Sequence, residues 1–196
     1  MPIYTRTGDK GKTTLANRKK MSKADLRIEA LGTIDELNSM IGVVLSVTSN
    51  KRQEIRSELI EIQNDLLKIG SNLANPQVTR PPASSLAGEV GRGNQKLAVS
   101  SLSKRVKEFE GFIDEMTQQM PKLSNFILPG GGKTGAMLHL ARAVCRRTER
   151  RIVEFNSKKK IDDNIIIYLN RLSDLLFTMA RFANFQEKKK EVIWPA

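Results

Sequence analysis

The sequence predicts an all-α fold, a bundle of five helices preceded by a short extended N-terminal segment. Three observations point there. Apolar residues recur at steps of three and four in five long stretches, none of the seven prolines falls inside any of them, and no alternation of strand and helix patterns follows the start of the chain. The last point weighs against a Rossmann or P-loop architecture. With 196 residues, 39% of them hydrophobic, the chain can bury one sizeable core, so residues 1–196 read as a single domain.

The opening PIYTRTGD reads as a short extended piece. Helix one is expected over about residues 24–48, where Ile28, Leu31, Ile34, Leu37, Ile41, Val44 and Leu45 share a face. Helix two carries Ile55, Leu59, Ile62, Leu66, Ile69 and Leu73, a seam that suits shallow-angle bundle packing. The polar segment 75–95, with Pro76, Pro81 and Pro82, reads as a loop that samples several conformations. Helix three has the seam Leu102, Val106, Phe109, Ile113, Met116 and Met120, and Pro121 stops it. After SNFILPGGGKTG, helix four is expected over about residues 135–155. Helix five follows over about 162–185, with Ile165, Leu169, Leu172, Leu176, Met179 and Phe182 facing inward.

Thirty-three Lys and Arg against 21 Asp and Glu leave a net charge of +12, which implies an anionic partner without naming it. Residues 1–23 hold seven basic side chains and only Asp9 as an acid, half of the whole excess. A lone cysteine, Cys145, and no signal-like start favour a reducing, cytoplasmic setting. No uninterrupted run of about 18 apolar residues suggests a membrane span.

Two segments look like phosphate loops and fail the full pattern. GGGKT at 130–134 would need glycine where Ile127 stands, and GDKGKT at 8–13 would need it at Arg6. Glycines, hydroxyls and lysines can still cradle an anion without the standard loop, so each segment keeps two readings. The first is a phosphate cradle or a solvated basic arm; the second is a cradle or a plain helix-entry turn.

Helix four holds the densest charge. Arg142, Arg146 and Arg150 form one row and Arg147 and Arg151 a second, with Glu149 the single acid among residues 142–151. Such rows repel internally, and one acid cannot match five arginines; an anion or a facing carboxylate would relieve them. Asp35 and Asn38 on helix one, and Asn170 and Asp174 on helix five, offer polar complements, while Glu36 reads as ordinary surface. His139 reads as a packed side chain and Cys145 as a small buried apolar residue. A zinc or di-iron site lacks ligands, because the chain has one histidine and Ala136 stands three residues before it.

YTRTGDKGKT, ALGTIDELNSMIG, FILPGG, MLHLARAVCRRTERRIV and YLNRLSDLLFTMAR occur in this order between residue 3 and about 185. Together they resemble the PduO-type ATP:cob(I)alamin adenosyltransferases. The resemblance implies a ferritin-like, up-down five-helix bundle and a homotrimer with active sites between subunits. It implies transfer of the 5′-deoxyadenosyl group of ATP to cob(I)alamin, giving adenosylcobalamin and triphosphate. By the same resemblance, residues 1–23 would close over the nucleotide through Thr5, Gly8, Asp9, Lys10, Gly11 and Thr13, with Lys23 and Arg27 beside them. Asp35 and Arg142 would pair across subunits, and Arg146 would contact the nucleotide. Glu149 and Asn170 would sit near the adenosine and Mg2+, the ion held mainly by ATP with Glu149 as a candidate ligand. Phe126 would occupy the lower face of the corrin. The implied cofactors are ATP, Mg2+ and cobalamin. Transient partners would be a cob(II)alamin reductase or an adenosylcobalamin-dependent enzyme, with neither nucleic acid nor membrane.

Two other classes fit parts of the pattern. A helical nucleic-acid-binding module would explain the charge but needs a continuous exposed basic face. It also gives Gly8, Asp9, Asp35 and Asn170 no special reason to be present; a structural trimeric bundle with a degenerate pocket, the other class, would form no light-sensitive adenosylcobalamin from cob(I)alamin and MgATP.

Overall fold

A computed structural model describes residues 4–15, 18–74 and 101–195. The expected 75–95 loop and residues 1–3 lie outside these. Strands β1 (Lys12–Thr14) and β2 (Lys20–Ser22) form an antiparallel hairpin, followed by α1 (Leu26–Val47) and α2 (Gln53–Ala74). Then come α3 (Leu102–Gln119), α4 (Lys133–Lys158) and α5 (Asp163–Gln186). The extended N-terminal element thus starts after the position that the sequence suggested. Residues 7–10 form a turn, because Gly8 and Gly11 favour chain reversal and Gly11 takes φ +69°.

Helix starts and ends follow local chemistry. Asp25 accepts the amide of Arg27 at 2.8 Å and Asp162 that of Asn164 at 2.9 Å, so an aspartate satisfies a free N–H at the start of α1 and of α5. Arginines from neighbouring elements satisfy the ends. Arg56 Nη1 donates to the carbonyls of Leu45 and Thr48, both at 2.8 Å, and Arg27 Nη1 donates to Leu73 at 2.8 Å.

Paired contacts fix the helix directions. Thr148 meets Thr33, Arg147 meets Glu36 and Thr134 meets Val47, so α1 and α4 run antiparallel. The pairs Gly132 with Asn184 and Cys145 with Leu169 make α4 and α5 antiparallel as well. Phe109 against Tyr168 and Arg181 against Pro121 make α3 and α5 parallel. Helix α4 therefore lies between α1 and α5, burying Leu138, Ala141, Cys145 and Ile152 completely. Full burial of a leucine or isoleucine side chain contributes about 1.5–3 kcal/mol, which sets the weight of this seam.

Among the described residues, α1 alone is long and apolar enough to cross a membrane. Here its apolar side, including Leu37, Ile41 and Val44, is instead the bundle core.

One buried polar cluster ties α2 to α3 and α5. Arg105 donates to Asp65 at 2.8 Å, to Glu108 at 2.6 Å and to Glu58, while the hydroxyl of Tyr168 donates to Asp65 at 3.2 Å. Burial pushes the Glu58 carboxyl up and the Arg105 hydrogen bond partly offsets this; burial beside Asp65 pushes the Tyr168 phenol up. Removing the arginine strands the buried Glu58 carboxylate and leaves buried Asp65 only Lys68 and the Tyr168 hydroxyl. Arg105→Leu is expected to cost about 3–5 kcal/mol in chemical denaturation, whereas Arg151→Ala, at an exposed pair, should leave the denaturation midpoint nearly unchanged. Equal losses from the two variants would contradict this reading of the cluster.

Candidate functional site

The predicted site residues gather in two groups. The first surrounds the hairpin. Lys23 donates its amide to the carbonyl of Gly11 at 2.9 Å, closing the hairpin's base, and its ammonium lies over Gly8, where an added Cβ would meet it at 3.2 Å. The Thr5 and Thr7 hydroxyls share a hydrogen bond of 2.8 Å, and Asp9, Lys10 and Gly11 are exposed at the turn while Thr13 is half-buried on β1. The group thus presents backbone amides, hydroxyls and lysines on one small loop, a set suited to oxygen anions.

Arg27 lies at the foot of the same hairpin but is turned inward. It is 4% exposed, lies over the Phe155 ring at 5.2 Å and is committed to the Leu73 carbonyl. A cavity of about 310 Å³ beside it is lined by Leu15, Lys19, Met21, Phe155 and Lys158. Burial lowers the affinity of the Arg27 guanidinium for its proton, and Asp25 acts the other way.

The second group lies farther along α4. Phe126, Ile127, Arg142, Arg146, Asp174 and Phe177 line a cavity of about 410 Å³. The Arg142 guanidinium stands over the Phe177 ring at 5.9 Å, and its Nε is buried without a hydrogen-bond acceptor. Phe126 is 79% exposed, with the Trp194 ring edge-on to it at 6.3 Å. Next to Arg146, Asn170 donates to Glu149 at 3.0 Å, so these two predicted residues do meet. Such a cavity combines an aromatic wall with two cations, which fits a ligand having both a flat apolar face and an anionic part.

Within one chain the two groups stay apart. From Arg146 to Phe155, which marks the hairpin's end of α4, the helix rises roughly 14 Å at 1.5 Å per residue. Asp35 is exposed on α1, and among the described residues no ion pair joins it to Arg142.

The structure corrects the arginine balance drawn from the sequence. Arg147 pairs with Glu36, and Arg151 pairs with Glu29 at 3.4 Å and Glu154 at 2.9 Å. The second row is therefore neutralised from α1 and from within α4, and Glu36 is a partner rather than idle surface. Glu149 serves Asn170 instead of Arg146. Among the described residues, no ion pair joins a carboxylate to the row Arg142, Arg146 and Arg150.

The glycine turn at 130–132 is a helix entry filled by Asn184. Asn184 is buried, accepts the Gly132 amide at 2.9 Å and donates to the Gly130 carbonyl at 2.9 Å. A Cβ on Gly131, which has φ +101°, would sit 2.3 Å from its Oδ1. The Gly132 amide therefore already has its partner, which favours the helix-entry reading of this segment.

His139 is buried edge-on to Phe177 at 5.8 Å, with both ring nitrogens unpartnered; burial, then Arg142, holds its proton affinity down. Burial pushes the Cys145 thiol up, and its Sγ lies 3.3 Å from the Leu169 carbonyl, a packed group as expected. Phe177 and Trp194 escaped the sequence reading. Phe177 falls off the inward seam of α5, a spacing that signals a side chain facing elsewhere, and Trp194 is the only tryptophan.

Known proteins share this sequence pattern and fold. The family model described as cobalamin adenosyltransferase matches residues 3–183. The chain is 40% identical over 192 residues to corrinoid adenosyltransferase MMAB of Bos taurus, covering 98% of this chain and 75% of the bovine protein. To the corrinoid adenosyltransferase of Bacillus subtilis it is 41% identical over 186 residues, covering 94% and 87%. Among solved structures, a phenylalanine-to-alanine variant of the PduO-type ATP:corrinoid adenosyltransferase from Lactobacillus reuteri, complexed with cobalamin and ATP, superposes with a TM-score of 0.84. That pair shares 34% identity, over 100% of both chains. An arginine-to-lysine variant of that enzyme complexed with ATP gives a TM-score of 0.82 at 34% identity, covering 98% of this chain and 100% of that one. Fold, motif order and end-to-end similarity agree, and the chain belongs to the cobalamin adenosyltransferase family.

Proposed function

We propose that this protein transfers the 5′-deoxyadenosyl group of ATP to cob(I)alamin. The observation that carries the reading is the cavity in which exposed Phe126 and half-buried Phe177 stand beside Arg142 and Arg146. Cobalt(I) supplies an electron pair to the ribose C5′ carbon, the C5′–O bond breaks, and triphosphate leaves with that bond's electrons. Negative charge grows on the leaving oxygen, so fixed arginine and lysine charges favour that state over resting ATP. Phe126 fills the space below the corrin and excludes water or a base from the cobalt, which eases reduction of cobalt(II).

Mg2+ would arrive with the nucleotide. Among the described residues no group of three or more His, Cys, Asp or Glu side chains could hold a metal ion. The triphosphate oxygens therefore supply most of its coordination, with Glu149 as the single candidate carboxylate.

The site needs a second copy of the chain. The hairpin group and the Arg142–Arg146 group are separated along α4, and one copy's hairpin can complete the neighbouring copy's cavity in a closed ring. The outer face of α1 and α4 suits such contact: Val43 and Leu140 are 45% and 50% exposed, and Ser39 and Ala143 allow close approach. In a homotrimer, Asp35 of one copy would meet the unpartnered Arg142 of the next. Pairing of Arg147 and Arg151 with carboxylates removes the continuous basic face that a nucleic-acid module would need.

The direct test is formation of light-sensitive adenosylcobalamin from MgATP and chemically generated cob(I)alamin; no product from folded protein would reject the reading. Arg146→Ala should lose roughly 1.5–3 kcal/mol of nucleotide interaction, about 10- to 150-fold in ATP affinity or rate, with helicity unchanged. Unchanged ATP kinetics would remove Arg146 from the site. Phe126→Ala should leave thermal unfolding and MgATP affinity nearly unchanged, because its ring is largely outside the core. It should restore an axial ligand in the electron paramagnetic resonance spectrum of bound cob(II)alamin. An axial signal and reduction rate identical to the parent's would contradict the role given to Phe126.

A further inference from the structure

The Phe126 ring matters only if it is held in place, yet its turn has little core to hold it. Phe126 is 79% exposed and Ser124 and Asn125 beside it are exposed too. What holds the turn is the far end of the chain. Lys188 takes φ +53° after α5 and reverses the backbone. Residues 191–194 then run alongside the turn: the Leu128 amide donates to the Val192 carbonyl and the Trp194 amide to the Phe126 carbonyl, each at 2.8 Å. Ile127 and Ile193 form the antiparallel bridge between them, and the Trp194 ring meets the Phe126 ring edge-on.

This tail has few apolar anchors, since Val192, Ile193 and Trp194 are each more than half exposed. Its firm attachment is ionic. Arg181 on α5, 8% exposed, donates through Nε to both oxygens of Glu191, at 3.1 and 3.3 Å, and through Nη2 to Oε2 at 3.2 Å. The same Nη2 donates to the Pro121 carbonyl at 3.1 Å, where the segment leading to Phe126 begins. One rigid, planar side chain on a buried helix thus grips both the entry to the turn and the strand that pairs with it.

We propose that Arg181 is a positioning residue for the corrin-facing turn, its pair with Glu191 fixing the 191–194 segment whose main-chain pairing sets where the Phe126 ring stands. This rests on the adenosyltransferase reading. A ring displaced by about 1 Å leaves room for an axial ligand, and misplacement on that scale can cost about a hundredfold in rate.

Trp194, the only tryptophan, reports the tail directly. In the full chain, Glu191→Ala should make Trp194 more accessible to acrylamide quenching. It should lower kcat/KM for cob(I)alamin about tenfold or more with the ATP KM unchanged; the thermal midpoint should fall, since buried Arg181 keeps only the Pro121 carbonyl, while the protein stays folded at the assay temperature. Glu191→Asp should recover part of both signals. Unaltered quenching would show that the ion pair does not hold the tail, and a released Trp194 with parental corrin kinetics would show that the tail does not position the turn. Either result overturns the proposal. An inactive parent would instead strike the adenosyltransferase reading, and the quenching contrast would still decide whether Arg181 and Glu191 clasp the tail.

Discussion

The arrangement depends on the burial of α4 on two sides at once. Leu138, Ala141, Cys145 and Ile152 are fully buried between α1 and α5, which fixes the helix's rotation about its axis and leaves little angular room for five arginines. Rotation then divides the arginines. Arg147 and Arg151 emerge on the α1 side, where Glu36 and Glu29 answer them, and Arg142 and Arg146 emerge on the α5 side, over Phe177 and the cavity. A change in packing of either neighbour would re-aim both sets together.

The same helix keeps the two groups of site chemistry apart within one chain. Its N-terminal half faces the Phe126 turn, and its C-terminal end supports the hairpin through Phe155. Because a helix is stiff over this length, the two ends cannot fold together within one chain. Charge is placed accordingly: the hairpin carries lysines on a small glycine-containing turn, and the cavity carries arginines on the wall of α4.

Five helices were legible because each is governed by neighbours three and four residues away, and the observed ends fall within a few residues of the apolar patterns. The candidate cations and Phe126 were legible because their residue types sit in recognisable order. Partnerships across the chain were not. Nothing local to Arg147 announces Glu36, and nothing local to GGGKTG announces Asn184 fifty-two residues later than Gly132, which makes that turn a closed helix entry. The terminal Val-Ile-Trp run has the composition of a strand, but a strand needs an edge, and the edge at Phe126 exists only after the bundle forms.

A site split between copies of the chain can be tested by mixing two variants, each disabled in a different half. One would carry Arg146→Ala, and the other would lack residues 1–13. Alone, Arg146→Ala should keep at most about a tenth of the parental rate of adenosylcobalamin formation, and the truncated chain should show none. Unfolded, mixed in equal amounts and refolded together, they should recover about a quarter of the parental activity, the share of interfaces at which both contributing halves are intact. Recovery at that level is what a site shared between neighbours predicts. If mixed assemblies form but are no more active than the separate variants, both halves must come from the same chain, and the shared-site account is wrong.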